Sequence, residues 1–316
     1  MNLLCALYGA TVNWRNRLYD RRVFDVRKLQ SPVVSVGSIS AGGAGKTPFV
    51  MMIGELLKQR GIDFNVLSRG YGRQSKGVRQ VDPAGSAQEF GDEPLLIARK
   101  LRVPVIVGED RCEAGRFAEE KFGLQAHLLD DGFQHRRLAR DFDIALLTAR
   151  DLHDQLLPAG KLREPLSALV RASALVLMDG ASPDRLDLRE SQHLWRVKRS
   201  IVPPQTKEPC FAFCGIARPE NFFTALAAAG VQVTGSRAFR DHHAYTEQDV
   251  ECLYRQGQFS GASAFVTTEK DAINLGEFAA RLRPLHVVPV TMAFAPGSAQ
   301  AMESIAAVIL RDTSPA

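Results

Sequence analysis

The chain has 316 residues, enough for about two domains at roughly 150 residues each. Hydrophobic residues make up 45% and charged residues 24%, which excludes a mostly disordered chain, a collagen-like fibre and a polytopic membrane protein. The net charge of +5 is concentrated at the start: residues 1–30 hold Arg15, Arg17, Arg21, Arg22, Arg27 and Lys28 against Asp20 and Asp25, a local excess of +4 that points to an anionic surface or substrate.

The opening segment is apolar for too short a distance to cross a bilayer, which takes roughly 18 residues or more. It also lacks the basic flank and cleavage site of a signal peptide. Leu3, Leu7, Ala10, Trp14 and Leu18 recur at helical spacing and share one face, with the arginine cluster following. Such a helix lies either in a lipid interface, apolar side down, or against the rest of the protein; the residues leave both open. Five cysteines (5, 112, 210, 214 and 252) are odd in number and form no C-x-x-C pair. Free thiols in a reducing compartment, the cytoplasm, are expected.

From residue 32 short apolar runs alternate with helical patterns, the signature of a parallel sheet with crossover helices. Strands are expected at Val33–Val36, Phe64–Ser68, Val103–Val107, His127–Leu129, Ile144–Leu147 and Ala174–Met178. Helices are expected from Pro48 to Gly61 and over Arg111–Phe122. Charged and proline-rich sequence around residues 183–209, with Pro203, Pro204 and Pro209, reads as a hinge. A second set follows: strands at Phe211–Cys214, Val231–Val233, Ala264–Val266 and Val287–Val290, and helices at Asn221–Ala229, from Thr246 and near Ala299–Leu310. The expected division is an N-terminal helix region at 1–30, a core at 31–190, a linker at 191–210 and a smaller α/β domain at 211–316.

Ser40-Ala41-Gly42-Gly43-Ala44-Gly45-Lys46-Thr47 follows an apolar strand and opens a helix. Backbone N–H groups there surround phosphate oxygens, Lys46 neutralises the β/γ-phosphates, and the Thr47 hydroxyl ligates magnesium. Ser40 departs from the general pattern, which has glycine at that position. The core is therefore expected to be an α/β fold of the P-loop NTPase type, a mostly parallel sheet with flanking helices. Asp130 and Asp131 end a later apolar strand, where the acidic partner of a phosphate loop holds the metal shell. Four polar loops fall on the same sheet edge, the usual ligand face of such sheets. They contain Arg69 and Tyr71; Asp92 and Glu93; Gln134 and His135; and Leu157–Pro165. Together they mark a substrate pocket.

These segments, with Asp241-His242 and Thr268-Glu269-Lys270-Asp271-Ala272, run in order from about residue 8 to 275 and resemble the tetraacyldisaccharide 4'-kinase family, the lipid A 4'-kinases of Gram-negative bacteria. The family tolerates a small hydroxyl residue at Ser40. The resemblance implies ATP- and Mg2+-dependent transfer to the 4'-hydroxyl of an acylated glucosamine disaccharide 1-phosphate, forming lipid IVA, by a peripheral enzyme on the cytoplasmic face of the inner membrane. It implies Asp92 as catalytic carboxylate with His242 as its partner, metal-site roles for Asp130 and Asp131, and Arg163 and Glu164 in the substrate pocket. Asp92 and His242 flank the hinge, so domain closure is expected to assemble them. The competing reading is a membrane-cycling ATPase switch of the partition and division-site type. Its signature lysine is replaced here by Ala41. A GTPase would need an Asn-Lys-x-Asp guanine reader, which the sequence does not contain, and a non-catalytic lipid-binding module leaves the phosphate loop unused.

Overall fold

The computed structural model describes residues 3–178, 180–298 and 300–311. Ala299, the first residue of the expected closing helix, lies outside these, as do residues 1–2 and 312–316 of the expected end units. Helix α1 (Leu3–Asp20) precedes a core that runs β1 (Val33–Ser38), α2 (Lys46–Gln59), β2 (Phe64–Ser68), β3 (Arg79–Gln80), α3 (Ala87–Phe90), α4 (Asp92–Leu101), β4 (Val105–Val107), α5 (Arg111–Lys121), β5 (Ala126–Asp130), β6 (Phe142–Thr148), β7 (Ala174–Met178) and β8 (His193–Ile201). There follow β9 (Cys210–Cys214), α6 (Pro219–Ala228), β10 (Val233–Ala238), α7 (Glu247–Phe259), β11 (Ala264–Thr268), α8 (Glu269–Leu275), β12 (Leu285–Val288), β13 (Val290–Phe294) and α9 (Ala301–Arg311).

Within the described residues the strands form two sheets. The larger has the order β13-β8-β7-β6-β1-β5-β2-β4-β3, the smaller β10-β9-β11-β12. In the large sheet only the outermost pairings, β13 with β8 and β3 with β4, are antiparallel. Strand β1 sits between β5 and β6, both parallel to it, so the chain crosses over in opposite directions on either side of β1. That is the switch point where ligands bind in doubly wound sheets. Burial follows from composition. Strands β1, β2, β5, β6 and β7 are buried along their whole length, as expected for parallel strands covered on both faces. Phe49, Ile53 and Leu57 of α2, Leu95 of α4 and Ile305 of α9 pack on one face, and Cys112, Ala114 and Ala118 of α5 on the other. Gly37 permits close approach there: a Cβ on it would lie 2.6 Å from the Phe133 backbone nitrogen.

In the small sheet β9 divides by the strand period of two. Cys210, Ala212 and Cys214 face α6, while Phe211 and Phe213 face Tyr245 and the buried side of α7. All five cysteines are free thiols.

Three expectations are corrected. Residues 193–201 are not linker but strand β8, parallel to β7 and antiparallel to β13. Only Trp195 and Val197 in it are buried; the charged residues on its other positions hid the strand among loop-like sequence. The expected strand Val287–Val290 is two strands in different sheets, β12 beside β11 and β13 beside β8, divided at Pro289. Strand β13 and helix α9 thus return to the large sheet instead of completing the smaller unit, which spans β9 to β12. Finally, β10 begins at Val233, where the expected strand ended, because it is an edge strand with polar residues at alternating exposed positions.

Candidate active site

The phosphate loop leaves the C-terminal end of β1. Gly42, Gly43 and Gly45 all have positive φ, at 72°, 73° and 74°, a conformation that exposes successive N–H groups on one side. Ser40 is not among the positive-φ residues. A side chain therefore costs no backbone strain where the general pattern has glycine. Helix α2 begins at Lys46 with no side-chain cap, so its first N–H groups are available to an anion. The loop is held from the side: Ala41 N donates to Lys161 O at 2.8 Å, and Arg163 N to Ile39 O at 2.7 Å.

A cavity of about 1430 Å3 opens over this loop, lined by residues 41–47 together with Arg69, Tyr71, Glu93, Asp130, Asp131, Gln134, Arg163, His242 and Lys270. Asp131 has φ 50° and turns its carboxylate to two cations, Lys46 Nζ at 3.5 Å and Arg163 Nη1 at 3.0 Å. Burial works against the Asp131 charge, but Lys46 and Arg163 overcome it and hold the carboxyl below its usual range. Asp130 differs. Its Oδ2 accepts from Ser68 Oγ at 3.0 Å, and its buried Oδ1, like that of Asp131, has no hydrogen-bond partner among the described residues. Burial, then Glu93 and Asp131, push it up to about 7. An unsatisfied carboxylate oxygen in a cavity that Thr47 also lines is the donor chemistry of a hard divalent cation.

Across the cavity the second sheet supplies His242, whose φ of 56° places the ring over α4. Its Nδ1 lies 2.9 Å and 3.0 Å from the two oxygens of Asp92, the first residue of α4. Asn274 Nδ2 donates to Asp92 Oδ2 at 3.0 Å. Lys270 Nζ is 3.1 Å from His242 Nε2, 2.9 Å from Asp241 Oδ1 and 3.6 Å from Glu93 Oε1. A ring protonated on Nδ1 satisfies both neighbours, donating to Asp92 and accepting from Lys270. Burial penalises charge on both partners. At Asp92 the hydrogen bond from His242 and the charge of Lys270 win and lower the carboxyl. At His242 burial and Lys270 oppose protonation, yet the bond to Asp92 raises it. Asp92 is only 5% exposed and meets the cavity through His242.

Two residues expected in the pocket lie elsewhere. Glu164 is fully buried, paired with Arg171 at 2.7 Å and accepting from Asn16 of α1 at 2.7 Å, so it ties the first helix to the core. His135 lies with Asp110 and Cys112 outside the cavity lining; burial, then Arg111, lower it to about 4. The expectation missed Lys270, Asn274 and Ser68 as partners of the acidic groups. Lys270 was visible in the Thr268–Ala272 segment, but its contacts depend on how the two sheets meet.

The family model for tetraacyldisaccharide-1-P 4'-kinase matches residues 1–309. The tetraacyldisaccharide 4'-kinase of Koribacter versatilis is 48% identical, with 98% of this chain and 99% of the relative covered. That of Aquifex aeolicus is 40% identical over 85% of this chain and 87% of the relative. A crystal structure of LpxK from Aquifex aeolicus, described as an apo form in complex with ATP, superposes with a TM-score of 0.79 at 33% identity and covers 97% of each chain. With the phosphate loop, the paired aspartates and the Asp92–His242 contact assembled in one cavity, the chain belongs to the tetraacyldisaccharide-1-P 4'-kinase family.

Proposed function

We propose that this chain transfers the γ-phosphoryl group of ATP to the 4'-hydroxyl of tetraacyldisaccharide 1-phosphate, giving lipid IVA. The observation that carries the reading is the meeting of a phosphate cradle and a buried carboxylate–imidazole pair in one cavity. Residues 40–47 hold the triphosphate, Lys46 opposite its β/γ-phosphates, and Asp131 and Arg163 keep that lysine in place. Thr47 and Asp130 would hold Mg2+, which when bound neutralises charge between the phosphates. Asp130 and Asp131 each keep a buried oxygen without a hydrogen bond among the described residues; that of Asp131 lies 3.5 Å from Lys46 Nζ, so the Asp130 oxygen is taken as the ligand. The acceptor is held by Arg69, Tyr71, Glu93, Gln134 and Arg163; Glu164 and His135 support this wall from behind. A sugar hydroxyl is too weakly acidic to ionise before reaction, and phosphoryl transfer is loose. Asp92 and His242 therefore orient the hydroxyl and take its proton late, shared across their hydrogen bond.

The substrate's acyl chains place the enzyme at a membrane. No helix of the described residues is long and apolar enough to cross one. Helix α1 buries Cys5, Gly9, Val12 and Asn16 and turns Leu3 (73% exposed), Leu7 (57%) and Trp14 (63%) outward. That outward face, with Arg15, Arg17, Arg21 and Arg22 near its end, fits shallow insertion among anionic headgroups on the cytoplasmic side of the inner membrane.

The test is transfer of labelled γ-phosphate to the disaccharide 1-phosphate in mixed micelles, with Lys46→Ala as control. Acceptor-dependent transfer that Lys46→Ala abolishes is expected. Hydrolysis that needs vesicles but no acceptor overturns the reading in favour of an ATPase switch.

A further inference from the structure

Arg218 stands where three parts of the molecule meet. It is the residue before α6, on the loop that leaves β9, and it is nearly fully buried. Its side chain leaves the small sheet and lies on the phosphate loop of the large one. A Cβ built on Gly43 would come within 2.9 Å of Arg218 Nε and 3.0 Å of its Cγ and Cδ. Beside it, a Cβ built on Gly42 would come within 3.1 Å of the Ala217 Cβ. The guanidinium then reaches the end of β6, where Nη1 donates to Thr148 Oγ1 at 3.2 Å and Nη2 lies 3.7 Å from Asp151 Oδ1. Asp151 is itself fixed by the Thr148 backbone N–H and hydroxyl, at 2.8 Å and 2.9 Å.

The same loop is tied at its other end to the Asp92–His242 pair. Gly215 O accepts from His242 N at 3.2 Å. Gly215 N donates to Asp271 Oδ1 at 2.7 Å, which also accepts from Tyr245 Oη at 2.8 Å. The loop from Gly215 to Arg218 thus has the phosphate-loop glycines under one end and the His242 backbone at the other. His242 in turn reaches Asp92 only because the small sheet sits at this distance from α4.

We propose that Arg218 is a positioning residue that seats the small sheet on the phosphate loop and, through Gly215, sets the His242–Asp92 contact. This rests on the kinase reading above and deepens it. Arg218 lines the cavity over the phosphate loop, but its Nε is sealed over Gly43 without a hydrogen-bond partner among the described residues and both Nη atoms are turned to β6, which favours positioning over contact with the triphosphate. A long ion pair and one neutral hydrogen bond are a weak return for burying a guanidinium. Its use lies in where it holds the loop, since a misplacement of about 1 Å in a reacting pair costs on the order of a hundredfold in rate.

The test is a double-mutant cycle on the full-length enzyme with Arg218→Ala and His242→Ala, reading kcat for acceptor phosphorylation and, separately, ATP affinity. Arg218→Ala should lower kcat roughly tenfold to a hundredfold while the ATP dissociation constant stays within about threefold. His242→Ala should then cost less than about threefold more in the Arg218→Ala background, because the pair it removes is already misplaced. Arg218→Lys, which keeps the charge but not the planar fork, should fall between and carries the cycle if the alanine variant melts early. Losses that multiply independently overturn the proposal, as does lost ATP affinity with normal kcat, which would make Arg218 a nucleotide ligand. Wild-type transfer in the same assay separates the two claims. Its absence sinks the kinase reading and this role together, whereas normal wild-type transfer with independent losses sinks only the role of Arg218.

Discussion

Asp92→Asn isolates the chemistry of the carboxylate with almost no change of shape. In the native site Asp92 accepts from His242 Nδ1 on both oxygens, from Asn274 on Oδ2 and from the Glu93 backbone N–H on Oδ1 at 2.8 Å, with Lys270 Nζ 3.9 Å away. An amide has one oxygen for these donors, and its NH2 must face another donor. That mismatch costs about 1–3 kcal/mol, so the folded state should weaken without being lost. The larger effect is on the barrier. Removing a positioned general base costs roughly a hundredfold to ten-thousandfold in turnover, equal to about 3–5.5 kcal/mol. ATP affinity should hardly change, because residues 42–47 are untouched. His242 should also titrate lower, since the bond that favours its charged form is gone. In the wild type Asp92 is held below its usual range, so the stability its charge contributes is present above the unfolded-state value and lost as pH falls through the folded one. The variant should lack that acid-side loss. The assays are labelled phosphate transfer, equilibrium nucleotide binding and thermal unfolding against pH. Turnover within a few-fold of wild type would refute the role, and so would a variant whose only defect is nucleotide affinity.

Two further outcomes follow from the site. Asp130→Asn should stabilise the nucleotide-free protein increasingly as pH rises from about 4 to about 7 and level off above that, because the unfolded carboxyl ionises near its ordinary value while burial keeps the native one protonated up to about 7. The limit is on the order of 4 kcal/mol; melting curves at about pH 4 and about pH 7 with equal shifts would contradict this, and the same variant should lose magnesium-dependent nucleotide binding. Replacing Leu3, Leu7 and Trp14 together by serine alters only exposed side chains, unlike deleting α1, which strips Asn16 from Glu164. Activity on substrate presented in anionic vesicles should fall about tenfold or more, given the roughly 1.5–3 kcal/mol available per inserted side chain. Detergent-solubilised substrate should be used normally, and equal losses in both assays would return this face to a packing role.

Family membership also decides between the kinase and the membrane-cycling switch, which share the loop Gly42-Gly43-Ala44-Gly45-Lys46-Thr47 and are told apart by the segments around it. The site shows why the loop alone is not enough. Lys46 is held by Asp131, and Asp131 by Arg163, so the lysine's position is set by residues just after β5 and in the loop after β6.

Local chemistry carried most of this in the amino-acid order. The apolar runs of β1, β2 and β7 are near-continuous because both faces are buried, and the glycines at 42, 43 and 45 permit the positive φ of an anion cradle, so strand, loop and helix were legible together. Strands with an exposed face were not. β8 and β10 keep one side in water, and their charged residues look like loop until a neighbouring strand supplies the pairing. Nor does the sequence say that β13 and α9 rejoin the large sheet, since one proline separates two strands of similar composition. Above all, the contact of Asp92 with His242 and Lys270 spans some 150 residues or more of chain. Residue type names the candidates, but only the packing of one sheet against the other brings a carboxylate, an imidazole and an ammonium within 4 Å. At that distance in a buried site their charges fix one another's protonation.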